Sequence, residues 1–213
     1  MNEELLIYST YTVLLINLIV YSYSFFRKGK ANVFFVSYLA FCFTMQFSME
    51  LCYHLGMTNL IFVNMFFIGQ MILLGIFYNS LTQIKSQKIF IKISLTIALL
   101  VLAIQFYIDS SEFFKFNLFE ITLTNLLIVI YALFHFYNML TENKSYYYTT
   151  VGLVFYLLAS TVLYLIGNFS LGLSSELKYL TWILNAFLIL IYQFFILYDW
   201  IKSFYKSSVN LKS

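Results

Sequence analysis

Seven runs of about 20 mostly apolar residues, parted by short polar breaks, govern what this chain can fold into. They lie near residues 5–26, 32–55, 58–82, 89–108, 117–140, 146–168 and 178–201. At about 1.5 Å per residue, a helix of that length matches the roughly 30 Å of hydrocarbon in a bilayer. Hydrocarbon offers the backbone no water, so every peptide group must bond within its own helix or around a closed barrel. A barrel would need segments of roughly ten residues alternating apolar with polar, whereas these runs are continuous. The expected fold is therefore all-α: a polytopic membrane protein forming one seven-helix transmembrane domain over residues 1–213. At 62% hydrophobic and 10% charged residues, no polar stretch is left that is long enough for a domain outside the membrane.

The basic residues test the number of spans, because a wrong count would scatter them over both sides. Arg27, Lys28 and Lys30 follow the first run, Lys85, Lys88 and Lys92 the third, Lys144 the fifth, and Lys202, Lys206 and Lys212 the seventh. Only Lys115 and Lys178 fall on the other side, where Glu3, Glu4, Asp109, Glu112 and Glu176 also lie. The positive-inside rule then puts the N-terminus outside and the C-terminus in the cytoplasm. The net charge of +3 is the sum of that inner collar and not a nucleic-acid surface, so the bilayer is the expected partner and nucleic acid is not. The acidic start MNEE lacks the basic leader and small-residue cleavage site of a signal peptide, so the first run is expected to stay as a helix.

A charged group inside a span costs on the order of 3 kcal/mol, so polar residues kept there should face an interior and find partners. Gln46, Glu50 and His54 recur every four residues, on one face of the second helix. Glu120, Thr124, Tyr131, His135 and Asn138 form a stripe on the fifth, Thr149, Tyr156 and Ser160 on the sixth, and Asn185, Tyr192 and Asp199 on the seventh. With the topology above, these sort into two layers. The outer layer holds Gln46, Glu50, Asn64, Gln105, Glu120, Asn125 and Asn185; the inner holds Asn79, His135, Asn138, Gln193 and Asp199. Two carboxylates stand in the outer layer with no Lys or Arg at their depth, which calls for protonation, a wet cavity or a cationic ligand. Gln46, Glu50, His54, Asn64, Glu120, Asn125 and Asn185 are accordingly the candidate ligand-binding residues. The competing expectation is that such groups only dock helices through interhelical hydrogen bonds. For His135 and Asp199, near the cytoplasmic end, a solvated or snorkelling side chain is expected.

Catalytic and metal-binding signatures are missing. There is no HExxH, GxSxG or GxxxxGK[ST], and the two histidines, His54 and His135, belong near opposite faces. Cys42 and Cys52 share one helix about 15 Å apart and cannot bridge. No lysine occupies the middle of the last run, which excludes a retinal pigment, and no cofactor is expected. The chain has no proline and seven glycines, so it lacks the helix breaks that many secondary transporters use at a midplane site.

An acidic residue late in the second run, LIFVNMFF opening the third, VGLVFYLLAS in the sixth and LTWILNAFLILIYQFFIL in the seventh resemble small seven-helix inner-membrane proteins of AT-rich bacteria. The chain is also similar to the membrane input modules of bacterial sensors, without an output domain after Lys202. That resemblance implies a multi-pass protein of the bacterial inner membrane, and the polar outer layer and basic inner loops lead to the expectation of a receptor-like or accessory, non-enzymatic module. It would bind a ligand in a polar outer pocket around Glu50 and act through a membrane or cytoplasmic protein at the basic inner loops and tail. The alternatives are a lipid-modifying enzyme using Glu50 and His54, and a small-solute carrier.

Overall fold

In the computed structural model, residues 3–28, 31–141, 144–169 and 175–205 are described. Each apolar run becomes one helix: α1 Glu3–Lys28, α2 Val33–His54, α3 Leu60–Leu81, α4 Lys85–Ile108, α5 Leu118–Asn138, α6 Tyr147–Phe169 and α7 Ser175–Trp200. All seven are long and apolar enough to cross a membrane. A short 3-10 helix, Ser110–Phe114, joins α4 to α5, and a π-helical turn, Ile201–Tyr205, follows α7. Lys30, Lys206 and Lys212 of the expected basic collar lie outside the described residues, as do the side chains of Glu3, Glu4, Lys28, Glu176 and Lys178. The fourth helix starts earlier than the hydropathy suggests, at Lys85, so Lys85 and Lys88 stand on its first turn.

The chain divides into two compact units, residues Met1–Val36 with Met139–Ser213, and Ser37–Asn138. In the first, α7 packs against both α1 and α6. The α1–α7 seam is parallel and held by a polar ladder at one register. Asn17 Nδ2 donates to Gln193 Oε1 and to its carbonyl, both at 2.9 Å, Tyr21 donates to the Ile196 carbonyl at 3.3 Å, and Trp200 Nε1 donates to Ser24 Oγ at 2.7 Å. The α6–α7 pair is an antiparallel hairpin whose helices close on Gly152. A Cβ there would meet Phe195 Cβ at 2.5 Å, so only glycine permits this approach. Tyr156 and Tyr192 stack in parallel planes in the same seam.

At the far end of that hairpin, Asp199 of α7 caps α6. Its Oδ1 accepts the Tyr148 N–H at 3.1 Å and its Oδ2 the Thr149 hydroxyl at 3.2 Å. The expected solvated Asp199 is thus corrected: the side chain is buried, because the orphan donors and positive dipole of the α6 N-terminus give its charge a place inside the protein. His135 is likewise buried, with its ring against Tyr78, rather than snorkelling.

In the second unit α3, α4 and α5 pack on one another, and α5 is the most enclosed, with half of its span buried. Every member of its sequence stripe, Glu120, Thr124, Tyr131, His135 and Asn138, is buried. The same holds for Thr149, Tyr156 and Ser160 on α6 and for Tyr192 and Asp199 on α7. The α3–α4 turn is tied to the end of α5 by Asn138, whose Nδ2 donates to Thr82 Oγ1 at 2.9 Å and Gln87 Oε1 at 2.8 Å. Phe41 of α2 sits over Gly69 of α3 and stacks with Phe66, which sets the register of those two helices.

Candidate functional site

The site lies at the end of the second unit where α2 and α4 finish and α3 and α5 begin. Helix α2 stops in a Schellman turn. Gly56, at φ +67°, lets its own N–H reach the Tyr53 carbonyl at 3.1 Å and the Met57 N–H reach the Cys52 carbonyl at 2.9 Å. Between α4 and α5, the Asp109 carboxylate accepts the Ser111 N–H at 2.9 Å, and hydrogen bonds from Ser111 hold this exposed acid below the usual carboxylate range. Lys115 is taken up by Glu112 at 3.1 Å and Asp109 at 3.6 Å, and the bond it donates to Glu112 raises the lysine's affinity for its proton. The connection is pinned from below by Asn64 of α3, whose Nδ2 lies 3.1 Å from the Glu112 carbonyl and 3.0 Å from those of Phe113 and Lys115.

Helix α5 then starts at an N-cap. Asn117 Oδ1 accepts the Glu120 N–H at 3.1 Å, so Glu120 occupies the third helical position, where a carboxylate is favoured by the helix dipole. The carboxylate nevertheless finds no hydrogen-bond partner among the described residues. Glu120 is 0% exposed, and both of its oxygens are buried without a partner. The nearest lysine along the chain, Lys115, is turned to Asp109 and Glu112 instead.

Helix registers show what else lies at this height. Ser94 meets Tyr131 and Gln87 meets Asn138; the same antiparallel count brings Gln105 of α4 level with Glu120. Tyr78 meets His135 and Thr82 meets Asn138; the same parallel count brings Asn64 of α3 level with Glu120 and Ile121. Phe41 against Phe66 and Gly69 brings Gln46 of α2 level with residues 61–64. Gln46 Oε1, Asn64 Oδ1 and Gln105 Oε1 are each buried without a hydrogen-bond partner, as are the two Glu120 oxygens. Four helices therefore each present acceptor oxygen at one level.

The other expected site residues are placed differently. Glu50 Oε1 and His54 Nε2 lie 3.1 Å apart one and two turns beyond Gln46 on the same face of α2, and exposure rises along it to 26% for Glu50 and 60% for His54. Asn125 is buried on α5, five residues deeper than Glu120. Asn185 belongs to the other unit, where its Nδ2 donates to Tyr164 Oη at 2.9 Å and links α7 to α6. Two residues were absent from the sequence expectations. Asn117 was signalled by the pattern Asn-x-x-Glu at the head of an apolar run, and Gln70, fully buried on α3 with neither polar atom bonded, by a lone amide in FFIGQMILL.

This arrangement can accept hydrogen bonds or coordinate a cation; it has no nucleophile placed beside a base. No protein-family model, curated protein or solved structure matches the chain.

Proposed function

We propose that the chain is a non-enzymatic, receptor-like or accessory membrane module that binds a small ligand at the Glu120 level of α2–α5 and acts through a partner protein. The observation that carries this reading is the Glu120 carboxylate, fully buried with both oxygens unpartnered. A buried acid without a partner costs several kcal/mol, a burden that natural sequences keep at sites of function. The Gln46–Glu50–His54 face of α2 supports an access route. It runs from the buried level to the exposed helix end, with the Glu50–His54 pair at the mouth rather than at the centre. The seven apolar helices and the distribution of Lys and Arg support an inner-membrane protein with the N-terminus outside, the C-terminus in the cytoplasm and the basic loops available to a partner.

The test is a ligand screen by thermal unfolding of purified protein, paired with flux measurements in sealed liposomes. Expected is a stabilising small molecule or ion whose effect disappears in Glu120→Gln, with no flux of that solute. Glu120-dependent flux would replace the reading with a carrier, and lipid turnover lost in Glu50→Gln would replace it with an enzyme.

A further inference from the structure

We infer that the Glu120 level is a binding site for one monovalent alkali cation, coordinated by the Glu120 carboxylate and the side-chain oxygens of Gln46, Asn64 and Gln105. This rests on the reading above and names its ligand class. The unmatched atoms of these four side chains are five oxygens, with one unmatched donor, Asn117 Nδ2, a turn away at the N-cap, and one of the four is an acid that can carry a charge. Hard cations are bound by such sets of carboxylate and amide oxygens. Charge decides between the ions. A single carboxylate neutralises a monovalent ion, whereas a divalent ion would leave a net positive charge among apolar helices, at a desolvation cost of several kcal/mol. Among the described residues no Lys or Arg pairs with Glu120, and Lys115, the nearest along the chain, is held by Asp109 and Glu112. Asn64 can give its oxygen because its Nδ2 is already committed to the carbonyls of residues 112, 113 and 115, which fixes the amide's orientation. A ligand from each of four helices also means that occupancy would bear on how α2, α3, α4 and α5 pack, which is what a receptor-like module needs from its ligand.

The experiment is direct binding of radiolabelled sodium, and separately rubidium, to the full chain in nanodiscs, with choline as the inert counter-cation at constant ionic strength. Expected is saturable binding of one ion per chain. It should weaken about tenfold or more in Glu120→Gln and measurably in Gln105→Leu, and remain unchanged in Asn185→Leu, a polar residue of the other unit. Gln105→Leu keeps the test sharp should Glu120→Gln misfold. No saturable binding by the folded wild type, or binding indifferent to both substitutions, overturns the inference. If alkali ions fail but another small molecule stabilises the chain in a Glu120-dependent way, the inference falls and the proposed function stands; if neither does, both fall.

Discussion

Asn117 and Glu120 form half of a capping box: the Asn117 oxygen accepts the Glu120 N–H at 3.1 Å, but the Glu120 carboxylate does not return a bond to the Asn117 backbone. The cap holds the acid at a fixed place on α5 and leaves its charge for something else. Asp199, the other helical acid buried among the described residues, is taken up in capping α6.

That difference gives the two carboxylates opposite mutational signs. Asp199→Ala orphans the Tyr148 N–H and the Thr149 hydroxyl and should cost about 1–3 kcal/mol. Glu120→Gln replaces a buried acid that has no partner among the described residues and, in buffer free of alkali ions, should leave stability unchanged or raise it. Thermal unfolding of both variants in choline buffer checks this. Equal losses would mean that Glu120 is structural.

Two glycines at close helix contacts should respond unequally to a methyl group. In Gly152→Ala the new Cβ meets Phe195 Cβ at 2.5 Å, an atom that cannot move without α7, whereas in Gly69→Ala it meets the tip of the Phe41 ring, which can swing aside. The first should cost about 1–3 kcal/mol by overpacking and the second less. Unfolding midpoints of the two variants give the order.

Asn64→Ala should release the connection between α4 and α5. Three backbone carbonyls lose their donor, at a cost of about 1–3 kcal/mol. Hydrogen exchange should accelerate over residues 110–117 and leave the α6–α7 hairpin unchanged. Uniform acceleration throughout the chain would contradict the local role.

The proposed orientation makes Ser86 cytoplasmic and Ser111 external. Ser111→Cys should react with an impermeant thiol reagent in intact cells, and Ser86→Cys only after lysis. Cys42 and Cys52 are buried and should stay silent in both. The reverse pattern would invert the topology.

The helices and the stripes on α5, α6 and α7 were legible in the sequence because a span must be apolar, and its few polar residues recur at helical spacing only if one side faces protein. All of Glu120, Thr124, Tyr131, His135 and Asn138 are buried, as that spacing requires. The stripe on α2 was misleading in emphasis. Periodicity places Gln46, Glu50 and His54 on one face, but it carries no information on how exposure rises toward a helix end, and His54 proves 60% exposed. Nor could hydropathy tell Asp199 from Glu120. What separates them is the N-terminus of another helix beside Asp199, a contact between residues 50 positions apart. The sequence puts Gln46, Asn64, Gln105 and Glu120 in one outer layer with Glu50, Asn125 and Asn185; what separates these four from the other three is the helix registers, fixed by packing contacts such as Phe41 on Gly69 and Ser94 on Tyr131.

The most direct test of the central claim is an experimental density map of the chain with thallium in place of the alkali ion, read for anomalous signal. The account requires a single peak within coordinating reach of the Glu120 carboxylate, with the side-chain oxygens of Asn64, Gln105 and Gln46 turned to it. A map without that peak, in which the Gln105 or Gln46 amide donates a hydrogen bond to Glu120, would contradict it.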